Sequence, residues 1–156
     1  MDWSIFIVFL SACCVAATTG SLFPPDDWYF KDLKKPSWTP PPWLFPLAWT
    51  TLYLASAVAA TLVAVQDDAG MALAFWALQI ALNTLWSPVF FGLKRLGVAM
   101  VVLCGLWVAV LGTMLTFWQL VPLAGYLVAP YLVWVSYAGA LNLWIWRKNA
   151  PQTVAA

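Results

Sequence analysis

No Asp, Glu, Lys or Arg occurs between Leu96 and Trp146, a run of 51 residues. A lipid bilayer favours such a run, because a helix crossing the hydrocarbon needs about 20 apolar residues. The run is too long for one crossing. A break falls at Gln119-Leu120-Val121-Pro122, since proline suits the first turn of a new helix and cannot continue an old one. Spans are therefore expected at 96–120 and 123–146. Composition agrees: 64% of the 156 residues are hydrophobic and 8% are charged, against about half and a quarter in soluble domains.

Three more apolar runs of the required length come earlier, at 3–23, 43–65 and 71–93. The expected fold is all-α: one polytopic membrane domain over 1–156, a bundle of five transmembrane helices. A loop at 24–42 and a tail at 147–156 complete it. A cleaved leader is disfavoured for the first run, because Met1-Asp2-Trp3 is acidic where a signal peptide is basic. A β-barrel is disfavoured because the runs are continuously apolar rather than alternating. Five crossings sort the connections onto two faces. All seven basic residues (Lys31, Lys34, Lys35, Lys94, Arg95, Arg147 and Lys148) fall on the face of the 24–42 loop and the C-terminus. The other face carries Asp2, Asp67 and Asp68. By the positive-inside rule, the loop and the C-terminus are expected to be cytoplasmic.

No Asp, Glu, Lys or Arg lies within any span. Ion-coupled carriers usually keep a charged group near the midplane, so its absence counts against one. It counts equally against hydrolysis by paired carboxylates. The chain has no histidine, which removes the commonest general base, the commonest metal ligand and the usual haem axial ligand. No metal site and no resident cofactor are expected. Cys13, Cys14 and Cys104 lie in apolar runs without metal-ligand spacing and read as small hydrophobes. A net charge of +1, without a basic patch, argues against nucleic acid.

Gln79, Asn83 and Ser87 recur at i, i+4 and i+8 and so share one face of the third helix. For Gln79, and for Asn142 near the end of the fifth, interhelical hydrogen bonding is the expected role. Gly70, Ala74, Ala77 and Ala81 form two small-xxx-small pairs that permit close approach, within the bundle or between protomers. Twelve tryptophans stand out. Trp3, Trp28, Trp38, Trp43, Trp118, Trp144 and Trp146 suit an interfacial aromatic belt. Trp49, Trp107 and Trp134 fall too deep for that. A buried indole seeks a hydrogen-bond partner or faces a cavity, and several such indoles would suit a flat, mostly apolar ring ligand. Ordinary core packing is the competing account for Trp107.

Certain blocks are more specific. Trp28-Tyr29 precedes KPSWTPPPW at 35–43, followed by Phe45-Pro46-Leu47-Ala48-Trp49-Thr50. Then come Gln79, Leu82-Asn83-Thr84-Leu85-Trp86-Ser87-Pro88-Val89-Phe90-Phe91, Pro130-Tyr131-Leu132-Val133-Trp134, and Leu141-Asn142 ahead of Trp146-Arg147. In this order the chain resembles, over nearly its whole length, the TspO/MBR family, in a bacterial-type form. Members are also called translocator proteins, tryptophan-rich sensory proteins and peripheral-type benzodiazepine receptors.

The resemblance implies a five-helix bundle, commonly a homodimer, that binds porphyrins such as protoporphyrin IX and haem as ligands rather than as cofactors. Sterols and benzodiazepine-type molecules are further ligands of the family. The implied pocket lies under the loop between the first two helices. Its positions would be Tyr29, Trp38, Trp43, Leu47, Ala48, Trp49, Asn83, Trp86, Trp134, Ala138 and Leu141. A membrane receptor or sensor for flat hydrophobic ligands, regulating tetrapyrrole level or movement, is the leading expectation. Two alternatives stand beside it. One is light- and oxygen-dependent porphyrin breakdown, with Trp49 and Trp134 as candidate redox-active indoles. The other is a porphyrin or sterol transporter. Bacterial relatives sit in the cell envelope, and a dimer contact through the third helix is expected.

One departure matters. The family's proposed cholesterol pattern needs a tyrosine where this chain has Leu143, within Leu141-Asn142-Leu143-Trp144-Ile145-Trp146-Arg147. A dedicated sterol role is correspondingly disfavoured. KPSWTPPPW itself has few backbone donors, and its prolines aim the chain into the second span. Its two tryptophans suit either headgroup anchors or the rim of a lid.

Overall fold

The computed structural model describes residues 2–153, and the side chains of residues 2–150. Five helices are long and apolar enough to cross a membrane, and among the described residues there is no strand. They are α1 (Trp3–Leu22), α2 (Leu44–Ala64), α3 (Gly70–Ser87), α4 (Leu96–Leu120) and α5 (Pro122–Thr153). Helices are the form these runs must take, because hydrocarbon offers backbone N–H and C=O groups no other partner. Hydroxyls within the spans follow the same rule. Thr61, Thr84, Thr113 and Ser136 each donate to the carbonyl four residues back, so none presents a bare O–H to lipid.

Local signals explain the ends. The Asp2 carboxylate accepts from the Ser4 and Ile5 amides at 2.9 and 3.2 Å and caps α1. Asp68 and Lys94 take positive φ, 60° and 55°, where the chain reverses between α2 and α3 and between α3 and α4. Val121 alone, extended, separates α4 from Pro122. α3 does not end cleanly at Ser87: Pro88–Gly92 continues it as a π-helical turn, and a second such turn, Trp28–Asp32, sits inside the 24–42 loop. α5 passes straight through Trp146 to Thr153, so most of the expected 147–156 tail is helix. Residues 154–156 lie outside the described residues.

Neighbouring helices close a ring in the order α1–α2–α5–α4–α3 and back to α1. Without a hydrophobic drive in lipid, such packing relies on close approach. α4 provides it through three glycines. A Cβ at Gly97 would come within 3.0 Å of the Trp146 ring, one at Gly112 within 2.5 Å of Phe75, and one at Gly105 within 3.4 Å of Leu82. Bulk from α5 and α3 thus fills notches in α4. The small residues singled out on α3 behave differently: Gly70, Ala74, Ala77 and Ala81 all face outward. Of the two uses open to them, packing within the bundle is therefore excluded. α1 is the least enclosed helix, burying Cys13 and Ala16.

Candidate functional site

The first turns of α2, the end of α3 and the middles of α4 and α5 meet beneath the 24–42 loop. There they leave a cavity of about 30 Å³. Phe45 and Trp49 come from α2, Asn83 and Trp86 from α3, Leu103 and Leu106 from α4, and Trp134, Val135 and Ala138 from α5. The walls are aromatic and mutually braced. Trp49 meets Tyr131 and Trp134 edge-on, with ring centroids 5.8 and 6.5 Å apart, and lies tilted on Tyr53 at 5.5 Å. Phe45 meets Trp134 at 5.8 Å, and Trp86 stacks on Phe90 at 4.9 Å. Such edge-to-face arrangements favour fixed ring orientations.

Polar contacts hold this frame. The Asn83 amide nitrogen donates to the Tyr53 and Tyr131 hydroxyls at 2.9 and 2.7 Å, tying α3 to α2 and α5. One turn towards the loop, the Trp86 indole donates to Asn142 Oδ1 at 3.2 Å, and Asn142 Nδ2 donates to the Leu96 carbonyl at 3.1 Å. Asn142 is thus the interhelical tie its position suggested. Gln79 is not: it is 1% exposed, and neither end of its amide has a partner among the described residues. The Trp134 indole N–H is also buried without an acceptor, and its ring walls the cavity. Leaving a buried donor unmet costs about 1–3 kcal/mol.

The loop is fastened over this end of the bundle. Trp38 packs edge-on against Tyr137 at 5.5 Å, and the Tyr137 hydroxyl donates to the Trp38 carbonyl. Tyr137 in turn stacks on Trp134 at 5.9 Å, so the loop is coupled to a cavity wall. Asn149, fully buried near the end of α5, grips the backbone of Lys34 twice: its Oδ1 accepts from the Lys34 amide and its Nδ2 donates to the Lys34 carbonyl, both at 3.0 Å. Lys94 reaches Asp26 at 2.9 Å, which holds that carboxyl below its usual pKa, and Lys31 pairs with Asp27 at 2.8 Å. Tyr29 is buried against Phe90 and Phe91, and that burial pushes its phenol pKa up.

Of the eleven expected positions, Trp49, Asn83, Trp86, Trp134 and Ala138 line the cavity together. Tyr29 and Leu141 belong to a separate buried cluster with Phe90 and Ile145, closer to the loop. Trp38 lies above, in the loop. Trp43 and Leu47 face outward, 65% and 57% exposed, and Ala48 is half-buried on α2 away from the cavity lining. Trp107 turns out to face the lipid side between α4 and α5, its indole donating to Ser136 Oγ at 2.8 Å. Phe45, Leu103, Leu106 and Val135 were not anticipated. Phe45 carried a signal, being one turn before Trp49 on the same face. The other three are ordinary apolar residues whose facing depends on how α4 and α5 are rotated.

Residues 6–147 match the model of the TspO/MBR family. The chain belongs to the TspO/MBR family. Relatives include the tryptophan-rich sensory protein of Cereibacter sphaeroides, 51% identical over 96% of this chain and 94% of that protein. Protein CrtK of Rhodobacter capsulatus is 49% identical over 96% of this chain and 95% of its own length. The human translocator protein is 35% identical over 94% and 91%. Family membership and five long apolar helices together make this an integral, multi-pass membrane protein.

Proposed function

We propose that the protein is a membrane receptor or sensor that binds porphyrins, such as protoporphyrin IX and haem, or similar flat hydrophobic ligands, and regulates tetrapyrrole level or movement. The observation that carries this reading is the indole-walled cavity, where Trp49, Trp86 and Trp134 converge and the Trp134 N–H has no acceptor. A flat ring system with an acceptor atom would stack against the walls and satisfy that donor. At about 30 Å³ the cavity is too small to hold a ring ligand as it stands, since ligand pockets usually measure about 300–1,000 Å³. Ligand entry therefore requires the walls to part, and the loop is coupled to one of them through Trp38 and Tyr137. The names of the relatives, sensory protein and translocator, fit a ligand-responsive membrane protein. Bacterial cell-envelope residence, with the loop and C-terminus in the cytoplasm, accompanies this reading and rests on the one-sided basic residues.

Titration with protoporphyrin IX, followed by tryptophan fluorescence quenching, tests the site. Trp49→Ala combined with Trp134→Ala is expected to weaken binding by at least about tenfold, as loss of buried aromatic anchors generally does. Unchanged affinity in the double variant removes the cavity from the binding role.

A further inference from the structure

Lys35 stands apart from the other cations of the loop. It is half-buried, and burial lowers its pKa. Its ammonium donates to the Tyr29 carbonyl at 2.7 Å and more distantly to that of Phe30 at 3.5 Å, and it lies 4.3 Å from the centroid of the Tyr29 ring. Among the described residues no carboxylate comes within ion-pair reach of it, although three aspartates share the loop. Asp26 and Asp27 are engaged by Lys94 and Lys31 instead. An ammonium carries three donors; among the described residues these two carbonyls are its only oxygen acceptors, and the remaining donor has only the Tyr29 and Phe30 ring faces beside it. A partly desolvated cation without a counter-ion is costly, and such cations in proteins are ordinarily paired.

Its surroundings are built, not incidental. The preceding residue, Lys34, is gripped on both backbone groups by Asn149, and the following one, Pro36, is buried. From Lys35 an aromatic column leads down to the cavity: the Tyr29 ring lies against Phe90 at 6.4 Å, and Phe90 stacks on Trp86, which walls the cavity. The cavity itself presents no charged side chain. A ligand with a flat apolar body and an acidic edge would therefore find its body matched below and its charge matched at Lys35. The geometry points to Lys35 as the receptor for a ligand carboxylate, making the site selective for flat ring systems that carry an acid at one edge. This rests on the ligand reading given above and adds to it the charge that the ligand must bear.

The test compares protoporphyrin IX, which carries two carboxylates, with its dimethyl ester, on purified full-length protein in lipid nanodiscs. Lys35→Met is expected to weaken the diacid by about tenfold, the scale of one charge-assisted hydrogen bond, and to leave the ester unchanged. Lys35→Gln keeps a donor for the Tyr29 carbonyl but removes the charge, so it should show the same selective loss. Lys35→Arg should retain diacid binding. If the Met and Gln variants weaken acid and ester alike, Lys35 merely braces the loop and the proposal is overturned. It is equally overturned if neither variant affects the diacid while wild-type binding persists, and the ligand reading then stands without it. If neither porphyrin binds the wild-type protein, both fall together.

Discussion

At the scale of single residues, Asn83 connects the frame of the bundle to the cavity. One amide nitrogen serves two phenols on two other helices. Removing the amide alone strands Tyr53 and Tyr131 in a medium that offers no water. By the soluble-protein yardstick an unmet buried group costs about 1–3 kcal/mol. Hydrogen bonds inside membrane bundles average nearer 0.6 kcal/mol, roughly, because helices separated in the bilayer find other partners. The second scale governs here, since unfolding leaves these segments in lipid. Asn83→Leu should therefore destabilise the bundle by about 1 kcal/mol, and adding Tyr53→Phe with Tyr131→Phe should restore much of it. Reversible unfolding in mixed micelles reads both quantities. A triple variant no more stable than the single one would mean that the amide acts through something other than the two phenols. Periodicity placed Asn83 and Gln79 on one helical face, and both are buried there. It assigned Gln79 a partner that it does not have, because spacing along a helix gives the face of a side chain and not what lies across from it.

At the scale of elements, the charge pattern was a good guide to where helices cross and a poor one to where they stop. Arg147-Lys148 ends the charge-free run, yet α5 continues beyond it to Thr153, because water tolerates helix as readily as coil. That extension has a use: it carries Asn149 to the loop, where the side chain closes a pair of hydrogen bonds on Lys34. The two π-helical turns were equally invisible; they lie where Tyr29 packs against Phe90 and Phe91. On the proposed ligand reading, the Asn149 clasp would hold the loop against lifting. Asn149→Ala should speed porphyrin dissociation by about tenfold, the value of one to two net hydrogen bonds. Asn149→Asp, which keeps the acceptor for the Lys34 amide but loses the donor, should fall between. Stopped-flow displacement against excess unlabelled ligand measures the rates. Identical off-rates in all three proteins would leave the clasp as local bracing with no part in gating.

At the scale of the whole molecule, the bundle is electrically lopsided. Seven Lys and Arg side chains lie at the loop end, offset there by Asp26, Asp27 and Asp32, while the opposite end carries Asp2, Asp67 and Asp68 and no Lys or Arg. An odd number of crossings makes this arrangement meaningful, because a bundle of four or six would scatter the same residues over both sides. The positive-inside bias acts on short loops close to the spans, and Lys94, Arg95, Arg147 and Lys148 all sit in such places. The loop that covers the cavity and the half-buried Lys35 should then face the cytoplasm, so that a ligand arriving through the loop comes from inside the cell. Cysteine labelling decides it. In a background where Cys13, Cys14 and Cys104 are replaced, Ser37→Cys and Asp68→Cys each place one thiol at an exposed position of opposite ends. In intact cells whose outer barrier has been opened, a membrane-impermeant maleimide should label the thiol at 68. It should reach the thiol at 37 only after the inner membrane is permeabilised. The reverse pattern would invert the molecule, put the loop outside, and make the cavity a receptor for molecules approaching from the envelope side.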